Sequence, residues 1–236
     1  MFAYTTACFI SRTAIERLGL RFDEKVQAPF DETHFVNRLI AGCPDQMIIV
    51  LPKPPYIQRE TGGSEYLDAV QNNVDWYTGQ LHYGHLDLLR QTQKKDGTSP
   101  RFVQRAILYD LGFRFKYLLN HSERTKFLTE LQLQEFKSLL RAVFSQLHPE
   151  TVRSMNRGAI SEAYKYGILT TFYGSQRANQ IVYCRQYDKS AGMLQLSVYT
   201  GEDCKPNVIV FVNGEQAKLL HPSKATAFFL ERPRSE

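Results

Sequence analysis

Hydrophobic positions fall into three zones along the chain, each with its own period. In the first, residues 1–64, Phe35, Val36, Leu39 and Ile40 recur at helical spacing. That spacing predicts a helix from about Glu32 to Gly42, with Asp31 capping its first turn and Gly42 ending its last. A strand-like stretch, Ala7 to Ser11, and a short helix near Thr13 to Leu18 stand before it. The run Met47-Ile-Ile-Val50 follows as a buried strand, stopped by Pro52, Pro54 and Pro55. Helices interleaved with strands predict α/β organisation here.

The second zone, residues 65–175, is helical. Tyr66 to Lys95 carries Leu67, Val70, Val74, Tyr77, Leu81, Leu86, Leu88 and Leu89, with Gly79 and Gly84 as weak points. Ser99-Pro100 opens a helix to about Leu119, with proline at the favoured first position. A further helix runs from about Leu131 to Leu147 and a shorter one from about Ala159 to Phe172. Amphipathic helices joined by short polar loops predict a bundle or a helical cap on the first zone. In the third zone, residues 176–236, the period switches to that of strands. Gln180 to Tyr187, Met193 to Tyr199, Asn207 to Val212 and Ala225 to Leu230 run at strand length, with turn signals at Lys189–Gly192 and Asn213-Gly214. A small antiparallel sheet, or half of a sandwich, is the expected result.

Composition changes this picture little. The chain has 236 residues, 43% hydrophobic and 22% charged, and therefore reads as globular rather than disordered or fibrous. Its net charge of +5, from 29 Lys and Arg against 24 Asp and Glu, permits phosphate-bearing partners without requiring them. The longest apolar runs are about five residues, against the roughly 20 that a membrane-crossing helix needs, so no transmembrane segment is predicted. Cys8, Cys43, Cys184 and Cys204 lie far apart in segments that read as partly buried, without a C-x-x-C pair, and are expected as free thiols. The opening Met1-Phe-Ala-Tyr-Thr-Thr-Ala-Cys-Phe-Ile10 is apolar where an independent domain usually begins polar, so we expect a chain cut from something longer.

The segment with most chemistry is Phe30-Asp31-Glu32-Thr-His-Phe-Val-Asn-Arg38. Two adjacent carboxylates at a helix start sit near the positive end of its dipole, which favours a negative charge there, so the pair could supply a base. Taken alone, they read first as a common arrangement, Asp31 as an N-cap and Glu32 as a solvated first-turn residue. Their surroundings add to the signal. Upstream stands Phe9-Ile-Ser-Arg12, then Gly19-Leu-Arg-Phe22-Asp-Glu; downstream stands Tyr56-Ile-Gln-Arg59-Glu-Thr-Gly-Gly-Ser64.

This order resembles the distal half of family 2 glycosyltransferases of the GT-A fold. The resemblance implies a partial GT-A core in residues 1–64, followed by the helical segment and the small antiparallel β module. In that family the second acidic residue is the general base on the acceptor hydroxyl, which puts Glu32 there with Asp31 beside it. The family reads Glu-Asp where this chain reads Asp-Glu, lengthening the basic arm by one methylene. Arg38 follows on the same helix. By the same resemblance Arg59, with Tyr56 and Ser64, lies by the acceptor or the donor diphosphate, where a guanidinium neutralises phosphate charge. Arg59 alone would otherwise pair with Glu60 at the surface.

A GT-A enzyme holds its nucleotide-sugar donor on an N-terminal half whose Asp-x-Asp motif binds a divalent metal, Mg or Mn. This sequence has no Asp-x-Asp. The resemblance therefore implies a metal in the complete enzyme and none bound by this chain alone, which is expected to be inactive without that half. Gly84-His-Leu-Asp-Leu-Leu89, Thr92 to Leu111, Cys184-Arg-Gln-Tyr-Asp188 and Val210-Phe-Val-Asn-Gly-Glu215 further resemble bacterial proteins that fuse such a transferase to a teichoic-acid-type glycerophosphotransferase. That likeness implies a glycan or polyol-phosphate acceptor, a role in capsule or teichoic-acid assembly, and a place in the cytoplasm or at the inner face of its membrane. The alternative is a non-catalytic scaffold or interaction module derived from such an enzyme.

Other chemistries fit less well. His82 and His85 stand at i and i+3, but no third ligand completes a metal set, so packing or solvated roles are expected. Arg101, Arg105, Arg114 and Lys116 interleave with apolar residues at core spacing, the pattern of a packed helix rather than a nucleic-acid surface.

Overall fold

The computed structural model describes residues 8–27, 29–44, 48, 68–156, 160–174, 182–198 and 209–217. Within them lie a helical body and two antiparallel hairpins. Of the predicted buried strand Met47–Val50 only Ile48 is described, and it is exposed; the strand Ala225–Leu230 and the Pro-rich segment fall outside the described residues.

Residues 8–11 form no strand. Instead Ser11 caps helix α1, Arg12–Leu18, by accepting from the Ala14 amide, and Gly19 ends it in the left-handed conformation at φ 57°. Helix α2 is Asp31–Gly42, close to the prediction. Its cap differs: the N-cap is Phe30, without a side-chain hydrogen bond, and Asp31 is the first helical residue. Asp31 and Glu32 thus complement the dipole of the first turn without capping it.

The long predicted helix from Tyr66 to Lys95 is broken. Its described part contains α3, Val74–Tyr77, then a π-helical segment, Gln80–Leu86, and α4, Asp87–Gln91. Both glycines flagged as weak points sit in this irregularity. Helix α5, Arg101–Leu118, is the spine of the body, burying Val103, Ile107, Leu108, Leu111 and Phe115. Pro100 is its N-cap rather than its first residue, since its ψ of 144° is not helical, and the Ser99 hydroxyl donates to the Leu89 carbonyl at 2.8 Å.

A 3-10 turn, Ser122–Thr125, leads to α6, Glu130–Gln146, opened by a capping box between Thr129 and Gln132. Helix α7 is Pro149–Arg153, and α8 is Glu162–Tyr173, capped by Ser161 and ended by left-handed Gly174. The core is continuous across these helices. Phe136, Leu140, Val143 and Phe144 of α6 meet Tyr77, Leu81 and the inner face of α5, and Phe172 stacks on Phe144 at 4.1 Å. No described helix is long and apolar enough to cross a membrane.

The third zone gives β1, Val182–Asp188, paired with β2, Met193–Val198, and β3, Val210–Val212, paired with β4, Glu215–Ala217. Both predicted turns are present. Gly192 adopts φ 60°, and Asn213 and Gly214 adopt 53° and 88°, the paired positive dihedrals that a two-residue turn between right-twisted strands requires. Strand β4 goes beyond the pattern reading. Cys43 is buried, but Cys8 and Cys184 are exposed, against the expectation of partly buried thiols; none of these three forms a disulfide.

Candidate functional site

Two residues flanking the acidic pair, Phe30 and His34, are held by the π-helical segment and by the first residue of α4. Phe30, immediately before Asp31, is 1% exposed, and its ring meets the His85 ring edge-on at 4.3 Å. Gly84 makes this possible, because a Cβ there would lie 2.9 Å from Phe30 Cδ1. One turn further along α2, His34 Nε2 lies 3.1 Å from Asp87 Oδ2. The start of α2 is therefore pinned at two successive turns to one stretch of chain, and Asp31 and Glu32 emerge from that anchor half-buried. π-helical turns are rare and concentrate at functional positions.

Arg38 is not brought to the pair. Six residues from Glu32 is about 9 Å along a helix and well over a full turn around it. Its guanidinium instead donates to the Arg21 carbonyl at 3.2 Å, tying α2 to the loop after α1. Arg59, Tyr56 and Ser64 lie outside the described residues.

Beneath the pair runs a buried polar network that sequence reasoning did not assemble. His85 Nε2 lies 2.9 Å from Asp110 Oδ2, without the alignment of a hydrogen bond. Asp110 accepts from Arg114 Nε at 3.1 Å. Arg114 in turn donates to the Trp76 carbonyl and lays its guanidinium over the Trp76 ring, 4.2 Å from the centroid. The i, i+4 spacing of Asp110 and Arg114 was a legible signal. The pairing of His34 with Asp87 had none, because the two are 53 residues apart.

Burial is the dominant influence on both imidazoles, lowering each pKa, and their carboxylate neighbours offset only part of it. Burial pushes the Asp110 carboxyl upward, but Arg114 and His85 outweigh it and bring the value to about 2. Asp87 is likewise lowered: burial opposes ionisation, and Arg90 and His34 more than compensate. The network thus holds neutral imidazoles against ionised carboxylates.

The chemical capacities of the two layers differ. His34 and His85 side chains are 1% and 0% exposed, so neither reaches a substrate, and their role is to position α2. Asp31 and Glu32 reach solvent, and a half-buried carboxylate on a pinned helix is able to accept a proton from a hydroxyl. Among the described residues no group of three or more His, Cys, Asp or Glu side chains has the arrangement of a metal site. No family model, curated protein or solved structure matches the chain.

Proposed function

We propose that this chain is the acceptor-side part of a family 2 glycosyltransferase, moving a sugar from a nucleotide-sugar to a cell-surface polymer of capsule or teichoic-acid type. The observation that carries the reading is the mounting of the acidic pair. Asp31 and Glu32 open α2 side by side, half-buried, from a helix pinned by Phe30 on His85 and by His34 on Asp87. General-base catalysis needs a carboxylate held to within hydrogen-bond reach of the acceptor hydroxyl, and a rigid second layer supplies that precision. The ordered motifs from Phe9 to Ser64 support the same reading.

In this mechanism Glu32 takes the acceptor hydroxyl proton as the oxygen attacks the anomeric carbon, and the bond to the nucleoside diphosphate breaks from the opposite face. Asp31 keeps the local field negative beside the base. Arg59 and Tyr56, with Ser64, take the phosphate side. The donor's nucleotide and any metal belong to an Asp-x-Asp half whose motif this sequence lacks, so transfer requires that half in addition. Such a protein works in the cytoplasm, at the inner face of the membrane.

The test is Glu32→Gln in the protein joined to its nucleotide-binding half. Transfer is expected to fall at least a hundredfold with unchanged thermal stability, and activity near wild type refutes the assignment. A second reading, a non-catalytic interaction module, is favoured by the hairpins: Tyr187, Leu194, Phe211 and Val212 are all more than half exposed. Under that reading Glu32→Gln changes nothing, while polar substitutions at Phe211 and Val212 abolish partner binding.

A further inference from the structure

The chain that leaves α1 runs back along α2, and its contacts fix the path. Gly42 packs on Leu18, whose Cδ1 would lie 2.8 Å from a Cβ there, and Arg38 donates to the Arg21 carbonyl at 3.2 Å. The Phe22 ring lies on the Phe35 ring, with centroids 4.4 Å apart and planes 9° from parallel. Asp23 follows, close enough to His34 for its charge to act on that imidazole. Leu18, Arg21, Phe22 and Asp23 thus meet α2 in reverse order, from its last turn towards its first. Asp31, Phe35, Arg38 and Gly42 stand at i, i+4, i+7 and i+11, which is one stripe of that helix. Phe22 covers this stripe one turn from the acidic pair. Phe35 is i+4 from Asp31 and i+3 from Glu32, spacings that leave roughly 5–6 Å between Cβ atoms.

Phe22 is 51% exposed, whereas Phe35 beneath it is 5% exposed. A parallel stack covers one face of a ring, so exposure of half the side chain leaves the other face open to solvent. A single surface phenylalanine needs no explanation by itself. This one, however, is held flat. Phe35 sets its plane from below, the Arg38 guanidinium holds the carbonyl of the residue before it, and the Asp23 carboxylate after it accepts from the Lys25 amide at 3.0 Å. The result is a fixed apolar plate, open on its outer side, beside two carboxylates.

We propose that the outer face of Phe22 is the platform on which the acceptor rests, and that this acceptor ends in a neutral pyranose ring rather than an open polyol phosphate. The role of acceptor rests on the glycosyltransferase reading; the binding of the ring does not. A pyranose carries C–H groups on its faces and hydroxyls around its edge. The C–H groups are drawn to the negative face of an aromatic ring, and the edge hydroxyls donate to carboxylates such as Asp31 and Glu32. An open polyol has no such face. Asp23, Asp31 and Glu32 gather carboxylates at this end of α2, which repels a phosphate. Arg38 lies a turn beyond Phe35, with its guanidinium turned to the Arg21 carbonyl.

Saturation-transfer difference NMR on the full chain reads such a contact proton by proton. The probes are methyl β-D-glucopyranoside, methyl β-D-galactopyranoside and glycerol 3-phosphate. At least one glycoside is expected to receive saturation, unequally on the two faces of its ring, and glycerol 3-phosphate is expected to receive less. Phe22→Ala is expected to reduce the glycoside signal at least about fivefold and Phe22→Tyr to retain it, because the flat ring is what binds. The melting temperature of Phe22→Ala is expected to stay near wild type, since the side chain is half exposed. Absence of saturation in both glycosides overturns the proposal. So does equal saturation of both ring faces, a stronger signal from glycerol 3-phosphate, or a wild-type signal from Phe22→Ala. If Phe22→Ala fails to fold, Phe22→Leu, which keeps apolar bulk on Phe35 without a flat face, replaces it under the same criteria. The transfer assay on Glu32→Gln is read separately. Retained transfer with face-selective saturation sinks the base and leaves the platform, whereas lost transfer without saturation sinks the platform and leaves the base.

Discussion

Arg114 reaches Asp110 one helical turn back, Nε to Oδ2 at 3.1 Å, while its guanidinium lies on the Trp76 ring and donates to the Trp76 carbonyl. The side chain is 1% exposed, so one buried cation ties α5 to α3. Removing it leaves Asp110 facing His85 without its main counter-charge. Breaking a buried pair in this way costs about 3–5 kcal/mol, and Arg114→Ala is expected to lower the unfolding free energy by about 3 kcal/mol, because Asp110 retains some access to water. Arg114→Lys is expected to recover only part, since an ammonium cannot both stack on the ring and fork between two acceptors. Urea denaturation measures both, and a loss below about 1 kcal/mol for Arg114→Ala contradicts the network.

Stability is expected to fall on acidification in two stages. His34 and His85 have folded pKa values below the ordinary one, so between those values and about 6.5 the unfolded chain binds protons that the folded chain does not. Their contribution is whole above about pH 6.5 and declines as pH falls through it, by up to about 1.4 kcal/mol per pH unit for each group. Asp87 and Asp110 are lowered, so theirs is whole above about pH 4 and is lost below it. The urea midpoint should drop between pH 7 and pH 5, and the double variant His34→Gln/His85→Gln should flatten that slope. A midpoint that stays level in the wild type argues against buried neutral imidazoles.

Gly84→Ala places a methyl 2.9 Å from the ring of fully enclosed Phe30. Neither can yield cheaply, and overpacking of this kind costs about 1–3 kcal/mol. Since Phe30 also sets the start of α2, the variant is expected to perturb the amide resonances of Asp31 and Glu32 as well as to lower the melting temperature. Unchanged resonances there would show that the acidic pair is held by other contacts.

Thr129 and Gln132 satisfy each other's backbone amides at the start of α6, at 3.2 and 2.9 Å. Thr129→Ala is expected to cost about 1 kcal/mol, measured by thermal unfolding. Because α6 carries Phe136 and Phe144 into the core, a larger loss would indicate that fraying of its first turn propagates into the packing.

Sequence periodicity by itself determined α1, α2, α5, α6, α8 and both hairpin turns, because a helical stripe, a serine cap or an Asn-Gly pair acts within a few residues of itself. The acidic pair at the head of α2 was legible for the same reason. Gly79 and Gly84 marked the weak points of the Tyr66–Lys95 region, but only the tertiary structure decided that it takes a π-helical form there, with Phe30 from a distant part of the chain packed on Gly84 and His85. Only the tertiary structure assigned Asp87 to His34 and Asp110 to His85, and turned Arg38 from the acidic pair to the Arg21 carbonyl. These choices depend on which groups are driven out of water together. That is a property of the packed whole, and no local pattern of residues encodes it.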